Sequence, residues 1–269
     1  MFPISDDNPE PGVPIVTWGL IGLCVAAYLW EASLPEAVLE QAILAYGAVP
    51  SVLFGYAPPA DLLGVPVWAT AVSSMFLHGG FLHLAGNMLY LYIFGDNVEL
   101  AMGRVRFFLF YVICGVLAVL AHGMLAPRSD VPLVGASGAI SGVLGAYLLL
   151  QPHGRVRVLF TLFPLPVFRV FTISAFWVLG VWFGLQLISA LSSPVEGGGV
   201  AFWAHVGGFV AGLGLVVVFK RNDVALLAPA TASEARAEKQ GPWGVAQAEQ
   251  RPSDDREKSP EKPRRGPWG

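Results

Sequence analysis

Charged side chains are scarce in this chain. Asp, Glu, Lys and Arg make up 13% of its 269 residues, against about 25% in soluble domains. Hydrophobic residues supply 55%, more apolar surface than one soluble domain can hide, so lipid is the expected solvent. Cysteine is almost lacking too. Cys24 and Cys114 lie in apolar runs without a vicinal thiol or a histidine at metal-ligand spacing, which argues against a disulfide framework or zinc site and for two buried, inert thiols. The formal net charge of −3 offers no basis for binding nucleic acid or an acidic partner. Residues 1–12 contain Asp6, Asp7 and Glu10 but no Lys or Arg, unlike a signal or transit peptide. Neither a cofactor nor a metal is expected.

What the sequence does have is six apolar runs: 14–30, 81–100, 107–125, 135–150, 171–189 and 201–219. Five are long enough to cross a hydrocarbon core of about 30 Å as helices. The run 135–150 is shorter; as a helix it extends about 24 Å, some 6 Å less than the core. The expected fold is therefore an all-α membrane bundle of six helices. It comprises a short N-terminal segment (1–13), a membrane domain (14–221) and a tail (222–269).

Basic residues orient the bundle. Arg104, Arg106, Arg155, Arg157, Arg169, Lys220 and Arg221 flank one side, against Arg128 alone on the other. The excess of positive charge predicts that both termini are cytoplasmic. Between Asn222 and Gly269 eight acidic and eight basic residues balance in a stretch of little apolar content, which predicts disorder. The segment 31–74 is apolar but broken by proline, and is expected in or on the outer leaflet.

Polar side chains inside spans are costly and point to function. His83 and Asn87, preceded by His78, share a face of the second helix at i and i+4. The fourth helix opens Gly135-Ala136-Ser137-Gly138 and continues to Ser141-Gly142; the sixth holds Ala204-His205, then Gly207, Gly208 and Gly212. All three helices run from outside to inside, so their polar ends gather in one layer near the outer surface. Gly138 with Gly142, and Gly208 with Gly212, form small-residue faces that allow close helix contact. That contact would bring Ser137 within hydrogen-bond reach of His205. The loop before the fourth helix must then dip into the membrane beside a wet cavity. His122 and His153, by contrast, read as interfacial.

Over residues 14–221 these motifs, in this order and spacing, resemble the rhomboid family of intramembrane serine proteases. The resemblance implies a six-helix core with Ser137 as nucleophile and His205 as general base. His83, Asn87 and the Ser137 backbone N–H would form the oxyanion hole, with His78 supporting the second helix. It also implies substrates that are single-pass membrane proteins with helix-destabilising, small-residue cleavage sites, and residence in a bacterial inner (plasma) membrane with the site toward the outside. The chain departs from the family where Ala69 follows Trp68, where Leu100 and Ala101 follow Glu99, and where Ser141 replaces an aromatic residue four after the serine. Asp96 and Glu99 sit about 20 Å of helical rise from the reaction layer, so a Ser–His dyad without a carboxylate is expected. Two rivals are an inactive rhomboid-like escort protein, which would usually lack Ser or His, and a transporter, which would need an inverted repeat or coupling acid.

Overall fold

The computed structural model describes residues 2–7, 12–59, 65–162, 167–194 and 199–228. The chain folds into a mostly helical bundle. Helix α1 (Ile15–Ser33) is followed by three short pieces, α2 (Glu36–Tyr46), α3 (Pro50–Leu53) and α4 (Thr70–Ser73). The long elements are α5 (Phe81–Met102), α6 (Arg104–Leu125), α7 (Ser137–Leu150), α8 (Ala175–Ser192) and α9 (Phe202–Phe219). Helices α1, α6, α8 and α9 are long and apolar enough to cross a membrane. Between their ends their outward side chains are mostly apolar, as at Leu23, Leu109, Trp177 and Val218; so large an apolar exterior suits lipid rather than water.

Helix α7 is the axis of the molecule. It contacts α5, α6, α8 and α9, and every residue from Gly138 to Tyr147 is buried. Its 14 residues rise only about 21 Å, so α7 is even shorter than the apolar run that announced it. Such a helix, apolar all round, is stable only when other helices enclose it.

Glycine decides how close the neighbours come. A Cβ on Gly208 would meet the Gly138 carbonyl oxygen, and one on Gly212 the Gly142 carbonyl oxygen, so α7 and α9 touch backbone to backbone. On its other side, a Cβ on Gly142 would lie 2.5 Å from Cys114 Cβ of α6. Cys24 and Cys114 are both buried and free.

The connection between α7 and α8 is not a simple loop. Strands β2 (Arg155–Leu162) and β3 (Val167–Ser174) pair antiparallel, and the N-terminal strand β1 (Phe2–Asp6) joins the free edge of β2. The apolar run 171–189 was expected to be wholly helical, yet 171–174 belong to β3. The sequence Arg-Val-Arg-Val at the start of β2 alternates with period two and carries β-branched valines, which favours strand. Alternation is visible in burial: Val156 and Val158 are buried, Arg155 and Arg157 exposed.

Two acidic side chains tie this end of the bundle together. Glu99 accepts the backbone N–H groups of Val16 and Thr17 at 3.0 and 2.7 Å, and the Thr17 hydroxyl at 2.8 Å, capping the start of α1. Asp6 accepts the Tyr147 hydroxyl at 2.7 Å and Asn97 Nδ2 at 2.9 Å, anchoring β1 to α5 and α7. Residues 222–228, expected to begin the tail, run back along the bundle, where the N–H groups of Leu227 and Ala228 donate to the Leu149 and Leu150 carbonyls. The rest of the expected tail lies outside the described residues.

Candidate active site

At the opposite end, the segment before α7 is held from several directions. Ala48 and Leu133 exchange backbone hydrogen bonds of 3.0 and 2.9 Å, Ser51 N–H donates to the Ser129 carbonyl, and Gly135 N–H donates to the Ser74 carbonyl. Gly135 has a φ of +117°, in the region where L side chains are strained. A Cβ there would also stand 2.7 Å from His83 Cε1. Only glycine lets the chain turn here while His83 lies against it.

That turn delivers Ser137 as the first residue of α7, where backbone N–H groups lack intrahelical partners and the helix dipole favours negative charge. Ser137 Oγ lies 2.8 Å from His205 Nε2. The other imidazole nitrogen, Nδ1, lies 2.7 Å from Gln186 Oε1 on α8. Asn87 is buried, and its Nδ2 has no hydrogen-bond partner among the described residues. Ser137, His205, His83, Asn87, Gln186 and His122 all line one cavity of about 610 Å³, within the usual range for small-molecule and peptide sites.

Each residue singled out from sequence has a definite place. Gly138, Gly142, Gly208 and Gly212 make the α7–α9 contact described above. His78 is buried against the start of α5; its backbone N–H donates to Glu31 at 3.1 and 3.2 Å, and its Nδ1–H to the Phe76 carbonyl at 3.1 Å. Its ring meets the His83 ring edge-on at 5.3 Å, so it braces His83 from behind.

Three features escaped the sequence reading. Gln186 is one; a lone amide in the apolar run of α8 was the available signal, because polar groups in spans rarely lack a task. The second is the aromatic neighbour of His205. The Ser141 hydroxyl turns back to its own helix and donates to the Ser137 carbonyl at 2.6 Å, one turn earlier. Trp182 of α8 lies beside His205 instead, with ring centroids 6.1 Å apart and planes 32° from parallel. The third is His122, read as interfacial but buried, with Nδ1 unpartnered, on the wall of the same cavity. His153 is exposed.

Comparison with known proteins agrees with this architecture. A family model described as Rhomboid domain matches residues 66–222, more than half of the chain. Rhomboid-like protein 11, chloroplastic, of Arabidopsis thaliana is 32% identical over 155 residues, covering 56% of this chain and 52% of that protein. Rhomboid protein 1, mitochondrial, of Saccharomyces cerevisiae is 34% identical over 148 residues, 53% of this chain and 39% of that protein. Rhomboid protease GluP of Bacillus subtilis is 27% identical over 203 residues, 76% of this chain and 34% of that protein.

This chain is an integral membrane protein of the rhomboid family. It spans about half or less of the length of these three relatives. These relatives include a chloroplast and a mitochondrial protein beside a bacterial one, so family membership alone does not select a bacterial plasma membrane.

Proposed function

We propose that the chain is an intramembrane serine endopeptidase that cleaves single-pass membrane proteins in or near their spans. The observation that carries this reading is the 2.8 Å contact between Ser137 Oγ and His205 Nε2 in a cavity where a few polar groups converge inside an apolar bundle. A serine hydroxyl is a weak nucleophile until a base takes its proton. His205 accepts that proton as Ser137 Oγ attacks the scissile carbonyl carbon. The resulting oxyanion meets the N-terminal N–H groups of α7, Asn87 Nδ2 and His83, donors that are already in place before charge develops. His205 then passes its proton to the leaving amine. Water, activated by the same imidazole, releases the acyl group and regenerates Ser137.

In this reading six helices span: α1, α5, α6, α7, α8 and α9, within a membrane domain of residues 14–221. Helix α5 carries Asp96 and Glu99 and α7 has only 14 residues, but Glu99 is buried against α1 and α7 is enclosed by the bundle, so neither must match the bilayer alone. The sheet and the termini face the cytoplasm and the cavity faces outward, following the basic residues. Treating detergent-purified protein with a fluorophosphonate probe tests the assignment. Modification at Ser137, lost in His205→Ala, is the expected result; an unmodified Ser137 in folded protein would refute the hydrolase reading and favour an escort role.

A further inference from the structure

Resting on the serine-protease reading, we infer that Gln186 is the positioning residue for His205: its carboxamide oxygen holds the Nδ1 proton and leaves Nε2 free to take the serine proton. A general base needs its lone pair on the nitrogen facing the nucleophile. Histidine left to itself in water favours the proton on Nε2, which here would aim a hydrogen at Ser137 Oγ. Gln186 Oε1 can only accept, and it lies 2.7 Å from Nδ1. That contact fixes the proton on Nδ1 and opens Nε2 toward Ser137, 2.8 Å away. In serine hydrolases whose orienting group is altered so that the wrong tautomer forms, kcat falls by about 10⁴.

The choice of an amide suits the surroundings. Helix α8 is apolar along its length, with Gln186 and the serines as its polar side chains. A carboxylate in this position would carry a heavy desolvation cost, whereas an amide orients the ring without a buried charge. Trp182, one turn earlier on the same face, flanks the imidazole. Phe183 stacks on Phe209 of α9 at 4.4 Å between centroids and 19° between planes. The face of α8 that meets α9 thus orients the base through one hydrogen bond and one flanking ring. Ser137, His205 and Gln186 come from three different helices, so the base is correctly set only while α8 is seated against α9.

Three preparations test this on a model single-pass transmembrane peptide with a small-residue, helix-destabilising segment: wild type, Gln186→Met and Gln186→Glu. The Met variant keeps length and volume but has no strong acceptor; the Glu variant keeps an acceptor oxygen. Gln186→Met is expected to lose about 10- to 100-fold in kcat, the scale of one hydrogen bond made in the transition state. KM, melting temperature and the fraction of sites titrated at completion by fluorophosphonate should stay unchanged. Gln186→Glu, which keeps an acceptor oxygen at the cost of a buried carboxyl, should be faster than Gln186→Met and slower than wild type. Nitrogen-15 spectra of histidine-labelled wild type should show the His205 proton on Nδ1, and Gln186→Met should move it toward Nε2. A wild-type proton on Nε2, a Met variant as fast as wild type, or a loss that merely follows melting temperature would each overturn the inference. Ser137→Ala separates the two levels. If wild type cleaves and Ser137→Ala does not, the protease reading stands whatever Gln186 does; if neither cleaves nor labels, that reading itself has failed.

Discussion

Around Ser137 each polar atom has one geometric task, so single substitutions should give separable effects. Asn87 presents a buried, unpartnered Nδ2 to the cavity. Asn87→Ala should slow cleavage about a hundred- to a thousand-fold, the usual cost of one oxyanion donor, without preventing fluorophosphonate labelling; kcat measured beside labelling yield checks it. Gly135→Ala combines positive φ with a Cβ 2.7 Å from His83. It should displace His83 and lower kcat at least as far, in protein that remains folded by its melting curve. At this scale the sequence was legible wherever polarity stood out against an apolar run and had companions. Ser137, His205, His83 and Asn87 were found together because spacing put them in one layer. Gln186 and Trp182 were not, because an isolated amide and an aromatic residue on a membrane helix carry no register linking them to a histidine on another helix.

Between elements, contact is decided by small residues on one side and by buried carboxylates on the other. Gly212→Ala would push a Cβ into the Gly142 carbonyl, whereas a Cβ on Gly214 meets nothing within 4 Å. The first substitution should lower the melting temperature, as overpacking by about 1–3 kcal/mol does, and the second should not; thermal unfolding in detergent compares them directly. Asp6 makes the strand end sensitive to pH. Burial raises its carboxyl from 3.8 to about 7, opposed by the Tyr147 hydroxyl and reinforced by the charges of Asp96 and Asp7. The folded state therefore holds the proton more tightly than the unfolded chain. Its contribution is complete below about pH 4 and is lost as pH rises to about 7. Amide protection in residues 2–6, exchange rates taken relative to the intrinsic base-catalysed rate, should fall over that window, and Asp6→Asn, which keeps an acceptor oxygen, should flatten the dependence. The helices were readable from apolar runs and the α7–α9 contact from glycine spacing. The sheet was not, because the apolar tail of β3 merges with the start of α8 and β1, the second partner of β2, lies about 150 residues away in the sequence.

For the molecule as a whole, the arrangement of basic residues predicts sidedness. A reporter fused after residue 228 and one inserted in the α5–α6 connection at Gly103 should report the same compartment, and one in the connection 126–136 the other; matching signals from all three would reject the proposed topology. The number of spanning helices was legible only in part, because length and hydropathy single out α1, α6, α8 and α9, while α5 carries acids and α7 is short. Strand β1 has one more consequence, for the order of assembly. Phe2 pairs with Leu159 and Asp6 with Val156, so residues synthesised before α1 must wait, unpaired, until their partners have left the ribosome. By then α1, α5, α6 and α7 have been made, and the loop closed by that pairing is long. The strand can thus close only after these helices have been made, and a bulky fusion ahead of Phe2 would act on that closure rather than on the making of the helices.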